Sequence, residues 1–163
     1  MIEDRQLQVT FIRHAESEDN LKVKALCEIL VGLRKLKIPT VQQLMKCARL
    51  LEYDLDSSLS VLGKRQVVDI AMTLETRKFW DESFDYIVHS PLIRATETCL
   101  AIVPAETRNK CLSLNVLCEI TPFEQLMKAT IERKMTSFEN WLRSLPTHTS
   151  KIVVVGHCQY FNN

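Results

Sequence analysis

Four short apolar runs along the chain are the predicted β-strands. They cover residues 9–12, 86–88, 112–117 and 152–155. The last run is continuous and rich in β-branched side chains, which is typical of a strand buried on both faces. Helical patterns separate the runs and indicate right-handed crossovers between parallel strands. The alternation therefore predicts an α/β fold with three layers, α/β/α, around a mostly parallel central sheet.

The helix starts are predicted from local capping patterns. A capping box, Ser or Thr followed three residues later by Glu or Gln, opens at Thr40, Thr121 and Thr136. Ser90 and Pro91 supply a helix cap followed by proline at the first helical position. Together with the apolar spacing, these signals predict helices over residues 41–51, 60–74, 92–103, 123–133 and 138–145.

The composition and charge of the chain argue against several classes of function. A net charge of +1 gives no general attraction to nucleic acid or to an anionic membrane. No run approaches the roughly 18 apolar residues of a membrane span, and the N-terminus lacks the apolar core of a signal peptide. We therefore expect a cytoplasmic protein of one domain, residues 1–163, that has neither nucleic acid nor membrane as a partner.

The cysteines and glycines narrow the chemistry further. None of the six cysteines forms a CxxC pair, so we expect reduced thiols and no zinc site. The six cysteines are Cys27, Cys47, Cys99, Cys111, Cys118 and Cys158. Only three glycines occur, which argues against a glycine-rich phosphate loop. Any phosphate must then be held mainly by side chains.

Charged and ionisable side chains follow three of the predicted strands. Arg13 and His14 end the first strand, Arg94 follows the second, and His157 follows the fourth. The carboxyl ends of parallel strands meet at one edge of a sheet, where such folds bind ligands. The sequence therefore predicts that two arginines and two histidines form one phosphate site.

Each of these side chains suits a step of phosphoryl transfer. A guanidinium stays charged and can bind two phosphate oxygens at once, so Arg13 and Arg94 would offset the phosphate charge. His14 is a nucleophile if its reacting nitrogen is unprotonated, a tautomer fixed when the other ring N–H donates to an acceptor. His157 would donate a hydrogen bond to the transferring group, and a carboxyl must protonate the leaving oxygen.

In combination and order, these segments resemble the histidine phosphatase superfamily, also called phosphoglycerate mutase-like proteins. The similarity runs from about residue 8 to the end. It is carried by residues 11–17 (FIRHAES) with Asn20, residues 59–66 (LSVLGKRQ), residues 90–98 (SPLIRATET), and Gly156 with His157. Within this resemblance, residues from about 21 to 55 are a helical insertion.

The resemblance implies specific roles. His14 would be phosphorylated transiently. Arg13, Arg94 and His157 would complete the phosphate pocket, and Ser17 and Asn20 would line it and bind substrate. No metal and no cofactor would be needed.

The proton donor is less closely defined. Glu119 ends the third apolar run and is similar to the family's donor position. Glu124 is the rival, although its place in a capping box gives it a structural duty. Cys158 follows His157 where the family commonly has glycine. It is either a tolerated small residue or a reactive thiolate favoured by a cationic neighbour.

Two segments depart from the family pattern. The family normally continues past the last strand with a helix and often another strand, so a missing C-terminal helix and strand are expected here. The insertion is either a solvated hairpin or a cap that attracts a highly phosphorylated substrate. It carries seven basic residues, Lys22, Lys24, Arg34, Lys35, Lys37, Lys46 and Arg49.

The expected function is phosphomonoester hydrolysis through phospho-His14. The substrate would be a small phosphorylated molecule or a phosphoprotein. A phosphoglycerate-mutase-type phosphotransferase is the first alternative, disfavoured because residues 120–125 (ITPFEQ) lack the mutases' substrate-holding segment. The second alternative is a truncated, inactive pseudo-phosphatase that acts as a binding or regulatory module.

Overall fold

A computed structural model describes residues 6–35, 37–48, 56–118 and 128–157. Four strands form one sheet: β1 (Gln8–Arg13), β2 (Tyr86–His89), β3 (Cys111–Ser113) and β4 (Lys151–Gly156). Their order is β1-β4-β2-β3, and each of these pairings is parallel. The predicted parallel sheet is therefore confirmed, with β4 inserted between β1 and β2.

Helices cover both faces of the sheet. On one face, Val153 and Val155 pack in a cluster with residues of α3 (Val61–Thr76) and α4 (Ile93–Ile102). On the other face, Ile152 and Val154 pack against Phe138 and Leu145, at and just beyond α5 (Lys128–Ser144). Residues 152–155 are all completely buried, and burying each such side chain contributes about 1.5–3 kcal/mol. The three layers and the doubly buried strand are as predicted.

The segment predicted as a helical insertion forms two helices that pack against each other, α1 (Glu18–Arg34) and α2 (Val41–Ala48). The Thr40 capping box is present, since Gln43 N–H donates to Thr40 Oγ1 and Thr40 N–H donates to Gln43 Oε1. No helix in the described part of the chain has the length and hydrophobicity needed to cross a membrane.

Some boundaries of the described elements differ from the prediction. The strand expected over 112–117 stops at Ser113, and residues 115–117 form a 3-10 turn. The helix start predicted from the capping box at Thr136 is wrong, because α5 continues through this position. Ser137 Oγ instead donates to Arg133 O at 2.8 Å. A hydroxyl that bonds back to the preceding turn is compatible with a helix interior.

Helix α4 also begins later than the Ser90-Pro91 pattern predicts. Its first residue is Ile93. The hydroxyl oxygen of Ser90 instead accepts a hydrogen bond from Leu92 N–H at 3.3 Å and is hydrogen-bonded to the ring of His157. The cap comes from outside the segment, since Ile93 N–H donates to Asp56 Oδ1 at 2.6 Å. A carboxylate at this position satisfies an unpaired helix N–H and complements the helix dipole.

Candidate functional site

Strand register brings the two histidines of the predicted site together. Arg13 pairs with Gly156 in the β1–β4 ladder, and His14 N–H donates to Gly156 O at 2.9 Å. The next residues on the two strands, His14 and His157, place their ring centroids 4.9 Å apart in an edge-to-face arrangement. Both rings are buried, with 6% of His14 and none of His157 exposed.

The tautomer of His14 follows from a single hydrogen bond. Its Nδ1 lies 2.7 Å from the carbonyl oxygen of Ala15. A carbonyl can only accept, so Nδ1 carries the proton in the neutral ring and Nε2 keeps its lone pair. This is the arrangement that the sequence argument requires of a nucleophilic histidine.

The loop that follows His14 is fixed by side chains from α3 and α4. Ala15 N–H donates to Thr98 Oγ1 at 3.1 Å, and Glu16 N–H donates to Gln66 Oε1 at 2.9 Å. The hydroxyl of Thr98 in turn donates to Arg94 O at 2.7 Å. The loop that carries His14 and the helix that carries Arg94 are therefore held together.

A second set of contacts ties this loop to the start of α3. Ser60 N–H donates to Glu16 O at 2.9 Å, and Ser60 Oγ donates to Glu16 Oε1 at 2.8 Å. The backbone of Glu16 approaches so closely that a Cβ on Gly63 would lie 1.9 Å from its carbonyl oxygen. Glycine is required at this position for space, not for an unusual backbone angle.

The two arginines differ in environment. Arg94 is 4% exposed, and its Nη1 lies 3.8 Å from Asp19 Oδ2 and 3.9 Å from Asp56 Oδ1. Arg13, the last residue of β1, is exposed. The site thus offers one guanidinium held in place by its neighbours and one at the surface, both suited to phosphate oxygens.

His157 is kept neutral by its surroundings. Burial lowers its pKa to about 3, and the nearby His14, Arg94, Arg13 and Lys134 add to the effect in that order. Its Nε2 lies 3.0 Å from Ser90 Oγ. A neutral imidazole in a positive environment can share one ring hydrogen with a phosphoryl oxygen without bearing a charge of its own.

Ser17 and Asn20, predicted to bind substrate, form the capping box of α1. Asn20 N–H lies 3.4 Å from Ser17 Oγ, and both the N–H and the hydroxyl of Ser17 donate to Asn20 Oδ1 at 3.0 Å. Ser17 is completely buried. The structure thus gives both side chains a helix-capping contact, and their role in substrate binding stays a prediction.

Glu119, Glu124 and Cys158 lie outside the described residues, as does the capping box at Thr121. The choice of proton donor therefore stays a prediction, and so does the role of Cys158.

Several residues of the site were given no role in the sequence analysis: Asp19, Asp56, Gln66, Thr98 and Lys134. Gln66 and Thr98 act on a loop that lies 50 and 83 positions away in the chain. Local periodicity carries no trace of such contacts. Two signals were available: the motif segments 59–66 and 90–98 end at Gln66 and Thr98, and Gln66 lies beside buried Gly63 and Val67 on α3.

Other features of the described residues bear on what the site can hold. No group of three His, Cys, Asp or Glu side chains gathers closely enough there to hold a metal ion. Two open surface cavities, of about 460 and 410 Å³, lie elsewhere, at residues 6–8 with 150–151 and along α1. Neither borders His14. Among the described residues, Cys27, Cys99 and Cys111 form no disulfide.

No protein-family model matches this chain, and no curated protein is significantly similar to it in sequence. Solved structures do match. One is a phosphoserine phosphatase from Entamoeba histolytica in complex with 3-phosphoglyceric acid, with a TM-score of 0.50 and 21% identity. The match covers 94% of this chain and 75% of that one.

A second match is a putative alpha-ribazole-5'-P phosphatase from Escherichia coli. Its TM-score is 0.59 at 17% identity, over 93% of this chain and 74% of that one. Both are members of the superfamily that the motifs resemble. This chain has the fold of the histidine phosphatase, or phosphoglycerate mutase-like, superfamily.

Proposed function

We propose that this protein is a phosphomonoester hydrolase that works through a phosphohistidine on His14, without a metal ion. The observation that carries the proposal is the hydrogen bond from His14 Nδ1–H to Ala15 O, which leaves Nε2 as the nucleophile. The phosphatase fold of the matching structures supports the same conclusion.

In the first step, His14 Nε2 forms a bond to phosphorus and the ester P–O bond breaks. Negative charge on the phosphoryl oxygens is offset by Arg94 and Arg13, while neutral His157 donates a hydrogen bond. The leaving alkoxide takes a proton from a carboxylic acid, for which Glu119 is the proposed donor and Glu124 the rival.

In the second step, water attacks the phosphohistidine. The same carboxylate removes a proton from that water, the P–N bond breaks, and inorganic phosphate leaves. His14 returns to the neutral tautomer in which Nδ1–H donates to Ala15 O. Proximity and positive charge account for the catalysis, and the side chains supply what a metal ion would otherwise contribute.

The proposed substrate is a small phosphorylated molecule or a phosphoprotein. Hydrolysis is favoured over phosphoglycerate mutation because residues 120–125 lack the mutases' substrate-holding segment. The two are separated by supplying 3-phosphoglycerate or 2-phosphoglycerate. A mutase interconverts them faster than it releases phosphate, whereas a hydrolase releases phosphate.

Hydrolysis of a generic aryl phosphate in the presence of EDTA tests the proposal. Wild type should turn over, and His14→Ala should not. Equal activity in the two proteins would refute the mechanism. Activity that EDTA abolishes and added metal restores would refute metal independence alone. A wild-type protein that binds phosphate esters without hydrolysing any would favour the pseudo-phosphatase.

A further inference from the structure

The carbonyl and the amide of the peptide group between Ala15 and Glu16 are both hydrogen-bonded to side chains. Its carbonyl, Ala15 O, accepts the Nδ1–H of His14 at 2.7 Å. Its amide, Glu16 N–H, donates to Gln66 Oε1 at 2.9 Å. Because both groups belong to one planar peptide unit, the orientation of the amide also fixes the direction of the carbonyl.

The position of Gln66 in its helix supports a specific role. Helix α3 packs its buried Gly63 against the backbone of Glu16 and its buried Val67 into the core, and Gln66 lies between them in the sequence, half-buried. Burying a polar side chain costs stability unless it is hydrogen-bonded. Here it accepts from the backbone of the loop that carries the nucleophile.

We propose that Gln66 is a positioning residue for His14, acting through the Ala15–Glu16 peptide. Its side-chain oxygen holds the peptide so that Ala15 O receives His14 Nδ1–H, which keeps the lone pair of His14 on Nε2. Each hydrogen bond in such a chain polarises the next, so the amide bond to Gln66 makes Ala15 O a better acceptor. The inference rests on the proposed function, in which His14 Nε2 is the nucleophile.

The tests are Gln66→Met, which keeps length and removes the acceptor, and Gln66→Glu, which keeps an acceptor oxygen. Gln42→Met, at an exposed position of α2, is the matched control. The first measurement is the tautomer of His14 in the unliganded protein, from long-range ¹H–¹⁵N correlation of the imidazole. The second is kcat and KM for an aryl phosphate.

We expect the Nδ1–H tautomer in wild type, Gln66→Glu and Gln42→Met. In Gln66→Met the Nε2–H tautomer should rise several-fold. In that variant kcat should fall about tenfold, the size of one lost hydrogen bond, while KM stays within about twofold. A purely structural role would lower the urea midpoint without moving the tautomer ratio.

The proposal is overturned if Gln66→Met keeps the wild-type tautomer, whatever its rate, or if Gln66→Glu is as impaired as Gln66→Met. If Gln66→Met does not fold, the tautomer of His14 in Gln66→Glu tests the proposal. A mixture of the Nδ1–H and Nε2–H tautomers in that variant would overturn it. Failure of the proposed function is distinguishable. Wild type would then release no phosphate, while the tautomer measurement would still report on Gln66.

Discussion

Replacing Gly63 with alanine should damage both the stability and the activity of this protein. The added Cβ would lie 1.9 Å from Glu16 O and 2.9 Å from Glu16 C, whereas real Cβ contacts essentially never fall under 3.0 Å. The atom that blocks it is backbone, so no side-chain rotation relieves the clash. The Glu16 segment and the first turn of α3 must move apart by about an ångström.

Two consequences follow from that displacement. Overpacking of this kind typically costs about 1–3 kcal/mol of unfolding free energy. The same movement strains the hydrogen bonds that Ser60 and Gln66 form with Glu16, and these bonds hold the loop after His14 in place. A nucleophile misplaced by about 1 Å can lose about 100-fold in rate. We therefore expect kcat to fall by about two orders of magnitude.

Urea denaturation and steady-state hydrolysis of an aryl phosphate measure the two effects. The control is Gly32→Ala, where the nearest neighbours of the new Cβ are 3.8 Å away and the residue lies in α1. That substitution should stabilise the helix by up to about 1 kcal/mol and leave kcat unchanged. A Gly63→Ala protein with wild-type stability and rate would refute the close approach of α3 to the loop after His14.

Three further predictions concern the residues around His14. Arg94→Lys keeps the charge but loses the two-pronged grip on phosphate, so kcat/KM for an aryl phosphate should fall at least about tenfold; an unchanged value would contradict this role. Thr98→Val leaves Ala15 N–H without its buried partner and should cost about 1–3 kcal/mol in urea melts, whereas Thr98→Ser should recover most of it. Burial lowers the pKa of His157 to about 3 from 6.5, so below pH 6.5 the unfolded chain takes up a proton that the folded chain does not. The stability that this residue contributes is complete above pH 6.5 and is lost progressively as pH falls towards 3. The urea midpoint of wild type should therefore fall more steeply between pH 7 and pH 4 than that of His157→Gln, and equal slopes would contradict the prediction.

The sheet was predictable because its signals are local. Three of the four apolar runs are followed by predicted site residues, and parallel strands bring their carboxyl ends to one edge. The motif residues Arg13 and His14 thus meet Gly156 and His157 across the β1–β4 ladder. The strand order, with β4 between β1 and β2, could not be derived from periodicity, since it depends on which faces the crossover helices cover.

The errors arose where one side chain has two possible hydrogen-bond partners. Thr136 and Ser137 resemble a helix start, yet within a continuous helix Ser137 bonds to the carbonyl of Arg133. Ser90 resembles a helix cap, yet its hydroxyl is hydrogen-bonded to Leu92 and His157. Asp56, from a distant segment, caps α4 instead. Tertiary contacts decide between such partners, and sequence spacing does not contain them.

The most direct test of the account is to look for the phosphoenzyme. After a brief reaction with a ³²P-labelled phosphate monoester and an alkaline quench, wild type should carry an acid-labile, base-stable label on the tryptic peptide that contains His14. The His14→Ala protein should carry none. A label that survives acid, or one that maps to Cys158 or persists in His14→Ala, would contradict the assignment of His14 as the nucleophile.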